Sequence, residues 1–257
     1  MASLLSIGAS LFIKQKPFSL KPKSGIPAPL IPHVTLGEDI VAHKRLTIIG
    51  DVHGCYDELI ELLDKTRSLD DDALVLFVGD LINKGPKNKQ VLDYVKELPN
   101  AYAVRGNHDE AVLREMMFQR KNDYVLSKKY GWTAELDQSD WDYLSQLPYT
   151  ISIPSKRILL VHAGLVPGKP LWRQNAPDMV TMRNLEFTDY FGGNGWQGNS
   201  NSGKGQAWAS LWRGRAMCIS VMMQRENCNG MNLPQDWTRV VCMEAVSPLQ
   251  SWMWMVQ

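Results

Sequence analysis

Residues Ala73 to Pro86 read ALVLFVGDLINKGP, and the fold follows from how this stretch is read. Six apolar residues, Ala73 to Val78, stop at a Gly-Asp pair. A continuous apolar run this short, closed by a turn residue, fits a strand buried on both faces better than a helix. Such a strand delivers one carboxylate, Asp80, from its C-terminal end. An amide and a cation, Asn83 and Lys84, follow immediately.

The same pattern recurs outward from it. RLTIIGDVHG, Arg45 to Gly54, is another apolar run ending in Gly-Asp, and AYAVRGNHD, Ala101 to Asp109, is a third strand. Between them CYDELIELLDKTR carries Leu59, Ile60, Leu62 and Leu63 at helical spacing, with Asp57 and Glu58 in its first turn. KNKQVLDYVKEL places Val91, Leu92, Val95 and Leu98 on one helical face. DEAVLREMMFQR and AELDQSDWDYLSQL predict two more helices, and YTISIPSKRILLVHAG a hairpin turning at Pro154 to Lys156. Alternating strands and helices predict an α/β fold with a largely parallel central sheet. In such sheets functional groups gather at the carboxyl ends of the strands.

Every predicted strand end carries a possible metal ligand: Asp51 and His53, then Asp80, then Asn107 and His108, then His162. Singly, each is an ordinary turn or a structural histidine. Together, carboxylate, imidazole and amide oxygen suit borderline divalent metals such as manganese, iron or zinc. A carboxylate set between two such groups can bridge two ions.

The ordered set GDVHG, GDLINKGP, GNHD and VHAG resembles the calcineurin-like metallophosphoesterases of the phosphoprotein-phosphatase type, from Arg45 to Arg215. That resemblance implies a four-layer α-β-β-α sandwich and two divalent ions. It implies Asp51, His53 and Asp80 on the first ion, and Asp80 as bridge with Asn107 and His162 on the second. It makes His108 the general acid, with Asp109 in the same catalytic set, and gives Arg105 and Lys84 to the phosphoryl oxygens. Protein phosphatases of this type carry DRG where this chain has NKG. Asn83 adds no negative charge beside His108, whose pKa should therefore be raised less. Asn83 is counted among the substrate-side residues, and Lys84 offers a point charge in place of a bidentate fork. NKGP, TMRNL (Thr181 to Leu185) and WASLWRG (Trp208 to Gly214) resemble the ApaH-like branch. The implied reaction is hydrolysis of phosphoanhydrides, dinucleoside polyphosphates first. Polyphosphate, an mRNA cap and phosphoserine or phosphothreonine proteins are the alternatives. Arg183 becomes a candidate substrate contact. Trp172, Trp196, Trp208 and Trp212 are available to stack on a base, with buried packing as their ordinary use.

Composition narrows the setting. The net charge of +1 over 257 residues creates no general attraction for polyanions, and no RNA-binding motif is present. The expected partner is a phosphorylated small molecule or nucleotide. Cys55, Cys218, Cys228 and Cys242 form no CxxC pair, which suits a reducing compartment. The cytoplasm is the first expectation. A mitochondrial destination is the alternative, because Met1 to Gly37 contains no acidic residue. No apolar run is long enough to span a membrane. Residues 1–43 are expected to form a disordered or targeting extension, 44–215 the phosphoesterase domain and 216–257 an atypical tail. Asn194 to Gly205, NGWQGNSNSGKG, reads as a polar, glycine-rich loop or disordered segment.

One departure from the family pattern stands out. No histidine follows His162, and AMCISVMMQ occupies the place of the family's last Gly-His. The resemblance then implies a second ion one ligand short and a C-terminal part that is incomplete. TRVVCMEAV is at best a substitute strand in the second sheet, and a weakened or inactive form is the alternative to an active hydrolase.

Overall fold

Parallel strands ending at one edge are the frame on which the rest is hung. The computed structural model describes residues 25–121, 124–190, 193–213, 216–220, 241–245 and 253–256. In chain order the elements are β1 (His33–Thr35), α1 (Glu38–Val41), β2 (Arg45–Ile49), α2 (Tyr56–Lys65), β3 (Ala73–Phe77), α3 (Asn88–Glu97) and β4 (Ala101–Ala103). Next come α4 (Asn107–Gln119), α5 (Gln138–Gln146), β5 (Thr150–Ile153), β6 (Ile158–Val161) and α6 (Ala176–Thr181). Then follow β7 (Asn184–Tyr190), β8 (Gly193–Asn199), β9 (Gln206–Ala207), α7 (Trp208–Leu211), β10 (Met217–Ile219), β11 (Val241–Ala245) and β12 (Met253–Val256).

The first sheet has the order β12-β11-β2-β3-β4, and the second β1-β5-β6-β10. β2, β3 and β4 are mutually parallel, as expected, while β11 joins β2 antiparallel. Alternation along the strands sorts their side chains into two cores. Leu46, Ile48, Leu74 and Leu76 face Ile151, Ile153, Ile158 and Leu160 between the sheets. Ile49, Val75 and Phe77 point the other way and pack under α2, α3, α4 and α5. Tyr149, Leu159 and Val161 meet Ala176, Met179 and Val180 of α6 on the far side of the second sheet. The result is the four-layer α-β-β-α sandwich. Each apolar side chain sealed in these layers contributes about 1.5–3 kcal/mol of burial. β5 and β6 form the predicted antiparallel hairpin around Pro154–Lys156. Among the described residues no helix is long and apolar enough to cross a membrane.

Three expectations need correction. The ordered fold begins before residue 44: β1 runs parallel to β5, and Ile26, Leu36 and Val41 are at most 2% exposed. These apolar side chains seal the core, so the expected extension does not reach residue 43. Residues 1–24 lie outside the described residues. Secondly, Gly193–Asn199 is a strand, paired along its length with β7 in a third sheet ordered β8-β7-β9. Tertiary pairing overrides the weak strand propensity of its glycines and asparagines. Thirdly, Val241–Ala245, the centre of TRVVCMEAV, pairs with β2 in the first sheet and not in the second. The strand beside β6 is β10, parallel to it and drawn from AMCISVMMQ. Residues 221–240 of the tail lie outside the described residues.

Candidate metal centre

Four strand ends converge on Asp80. β3 ends two residues before Gly79, whose φ is +92°, and Asp80 itself is left-handed at 53°. His53, Asn83 and Lys84 also take positive φ, at 50°, 76° and 80°. A non-glycine residue in that region costs about 1–2 kcal/mol, so a set of four needs compensation. Backbone bonds between the two loops supply it. Val52 and His53 N–H donate to the Asp80 carbonyl at 3.1 and 2.8 Å, Gly54 N–H to Leu81 at 3.0 Å, and Gly85 N–H to His53 at 2.8 Å. Glycine is required where β3 and β4 end. A Cβ on Gly106 would lie 2.1 Å from Asp80 Oδ1, and one on Gly79 would lie 2.8 Å from both Gly106 N and His162 Nδ1.

The side chains close around this backbone. Asp80 is 2% exposed; its Oδ2 lies 3.7 Å from His53 Nε2 and its Oδ1 3.6 Å from His162 Nε2. Asp51 Oδ2 is 3.5 Å from His53 Nε2, and its Oδ1 is 4.0 Å from His162 Nδ1. Asn107 Oδ1 is 3.0 Å from His162 Nε2. Each inner imidazole has Nδ1 against a carbonyl, His162 on Val78 at 2.8 Å and His53 on Ile82 at 3.4 Å. For His53, donation there leaves Nε2 as the lone-pair nitrogen, the tautomer a metal ligand needs, whereas His162 meets an acceptor oxygen at each ring nitrogen.

These residues fit divalent cations. Asp51 Oδ1 is buried and has no hydrogen-bond partner among the described residues. A bare buried carboxylate oxygen is costly unless something positive completes it. Two groups, His53–Asp80–His108 and Asp51–Asp80–His162, keep their ligand atoms within 4.8 Å, and Asp80 belongs to both.

The titration of the cluster reflects the crowding. Burial pushes Asp80 up to about 6, and the charges of Asp51 and Asp109 add to it against His162 and His53. Burial would raise Asp51 too, but His53, His162 and Lys84 together hold it below the usual carboxylate range. Burial opposes protonation of His162, yet Asp80 and Asp51 raise it. His108 was expected to be raised less than in the protein phosphatases; instead burial, then Lys84 and His53, press it down to about 3.

The structure sorts the remaining candidates. Asn83, 1% exposed, sets its side-chain nitrogen 2.9 Å from His108 Nδ1 while its Oδ1 accepts from Lys84 N–H. It is therefore a partner of His108 and not a substrate contact. Arg105 is 0% exposed, and its guanidinium donates to the Ser145 carbonyl and lies 3.8 Å from Glu110. A side chain sealed under α5 cannot grip a phosphate, so Arg105 leaves the catalytic set. Asp109 is also sealed, and its carboxylate accepts from the N–H groups of Asp80, Leu81 and Gly106 at 2.8–3.0 Å. It positions the loop and touches no reacting atom. Arg183 is half-buried at the start of β7, and none of the cluster's contacts involves it. Trp208 is buried, Trp212 packs on it, and Trp172 is exposed beneath the Arg173 guanidinium. Sequence reasoning missed Asn88, which is 5% exposed, accepts from Asn83 N–H at 2.7 Å and donates to the Gly85 carbonyl at 2.8 Å. An asparagine opening a helix carries no signal of such a role.

Two packed sheets between helical layers, with histidines and carboxylates at the strand ends, define the metallophosphoesterase fold. The chain belongs to the calcineurin-like phosphoesterase family, whose model matches residues 44–211. Members of that family use divalent metals. Curated proteins named symmetrical bis(5'-nucleosyl)-tetraphosphatase, from Salmonella paratyphi C (strain RKS4594) and Salmonella newport (strain SL254), are each 37% identical over 125 residues. That match spans 47% of this chain but 43% of theirs, less than half the length of those relatives. A crystal structure described as a "putative diadenosine tetraphosphatase" superposes with a TM-score of 0.69 at 27% identity, covering 88% of this chain and 98% of that one.

Proposed function

We propose that the chain hydrolyses phosphoanhydride bonds, dinucleoside polyphosphates being its substrate class, with manganese, iron or zinc as cofactor. The observation that carries this reading is the convergence of Asp51, His53, Asn107, His108 and His162 on the shared carboxylate of Asp80. The naming of the matched relatives supports the choice of substrate.

Asp51, His53, Asp80, Asn107 and His162 would hold the cations, which supply charge neutralisation and a hydroxide near neutral pH. Asp80, which belongs to both groups, would be shared between the two ligand sets. Lys84, on the exposed side of its loop, meets the phosphate chain with a mobile point charge. His108 stands beside His53, ring edge to face at 4.7 Å, and gives a proton to the leaving oxygen. An arriving polyphosphate offsets the positive charge of Lys84, which favours the proton that the His108 imidazole must donate. Asn83 fixes the ring. Its Oδ1 is occupied by Lys84 N–H, so its amide donates to Nδ1 and leaves the transferable proton on Nε2.

A neutral Asn83 disfavours the protein phosphatase alternative. The test offers diadenosine tetraphosphate, polyphosphate and a phosphopeptide to the protein with Mn²⁺, reading products by chromatography. Two molecules of ADP per diadenosine tetraphosphate are expected; turnover of the phosphopeptide alone would refute the reading.

A second reading, a weak or inactive centre, has one observation behind it. β10 ends beside His162, and there stands Ser220, whose hydroxyl is bonded to the His162 and Ala163 carbonyls. One ion per chain by mass spectrometry, with no turnover, would favour it.

A further inference from the structure

We propose that Lys84 is an internal cation that shares His53 with the first metal ion, so that the two are alternative occupants of one lone pair. The inference rests on the metal-centre reading above. Lys84 Nζ lies 2.7 Å from His53 Nε2. His53 Nδ1 faces the Ile82 carbonyl, so Nε2 is the acceptor and the ammonium the donor. That same Nε2 faces Asp51 Oδ2 at 3.5 Å and Asp80 Oδ2 at 3.7 Å. The ammonium therefore sits on the donors that a divalent ion would use. An imidazole nitrogen has one lone pair, and a metal bond of about 2.0–2.2 Å leaves no room for an ammonium on it.

The backbone makes this contact a built feature. Lys84 and Asn83 are both left-handed, Asn88 holds the Asn83 N–H, and Gly85 N–H is bonded to the carbonyl of His53 itself. The root of Lys84 is thus tied to the residue its tip touches. Its stem is exposed, which leaves a path outward. Without metal, Lys84 offsets the charge of Asp51 and Asp80. With metal, Nζ is released toward solvent, the side from which a phosphate arrives. Metal and phosphate binding then favour one another through Lys84, and the coupling is reciprocal.

The test is a Mn²⁺ titration of the full chain, followed by electron paramagnetic resonance and calorimetry, for wild type and K84M at low and high salt. Methionine keeps the stem without the charge. The expected result is about tenfold tighter binding of the first ion in K84M, the scale of one charge-assisted hydrogen bond released, at both salt levels. Equal affinities would overturn the proposal and leave the metal centre standing. A gain that vanishes at high salt would mean screened through-space repulsion, and also overturns it. Uptake of Mn²⁺ by K84M but not by wild type supports it. Failure of both proteins to bind Mn²⁺ would remove the metal centre, and the proposal with it.

Discussion

Replacing Asn88 by alanine should loosen one loop and leave the rest of the fold in place. Asn88 Oδ1 accepts from Asn83 N–H at 2.7 Å, and Nδ2 donates to the Gly85 carbonyl at 2.8 Å. Asn83 is 1% exposed, so its N–H cannot turn to water, and an orphaned buried group costs about 1–3 kcal/mol. Gly85 is half-buried, and its carbonyl regains a water at a cost nearer about 0.5 kcal/mol. Alanine at the first position of α3 returns about 0.5 kcal/mol of helix propensity. The net loss is about 2 kcal/mol, or about 4–8 °C in Tm for a chain of this size. N88D keeps an acceptor for Asn83 but gives up the donor to Gly85, and should lose about a quarter as much. The assay is thermal unfolding by circular dichroism, with Mn²⁺-dependent turnover measured in parallel. Turnover should fall by about tenfold or more in N88A, because Asn83 and Lys84 lose their left-handed hold. An unchanged Tm with unchanged turnover would refute the account of how this loop is held.

The other tests are simpler. G106A should displace the Asp80 carboxylate, since its Cβ would lie 2.1 Å from Oδ1, and should abolish Mn²⁺ binding in a titration. G131A, with nothing within 4 Å, should be silent in the same assay. Burial lowers His33 from 6.5 to about 4, while a bond to the Leu171 backbone opposes the shift. A depressed folded pKa means that the unfolded chain takes the proton first. Stability is then complete above pH 6.5 and is lost as pH falls toward 4, by on the order of 2–3 kcal/mol. H33Q should flatten that slope in urea melts at stepped pH; a wild-type midpoint independent of pH over this range would contradict the assignment.

The strands that carry the site were legible because they are short apolar runs stopped by glycine. Such runs admit one secondary structure and one exit direction. That histidines and carboxylates gather at their ends was legible for the same reason. Side-chain direction was not. Arg105 adjoins Gly106 and Asn107 in sequence, yet the chain turns between them and sends the guanidinium under α5. Asp109 looks like a partner of His108 but, two places along α4, faces the backbone of the Asp80 loop. Gly193–Asn199 lacks any strand signal of its own, and only β7 beside it makes it one. β1 carries no readable signal, because three residues directly after a proline show no periodicity.

The lacing of the His53 and Asp80 loops reaches beyond geometry. A chelator whose arms are already folded loses no chain freedom when its cation arrives. The rate of filling is then set by how fast the incoming ion sheds water and the Lys84 ammonium withdraws. A site of this kind exchanges its ion without unfolding, so the metal it holds tracks the supply around it.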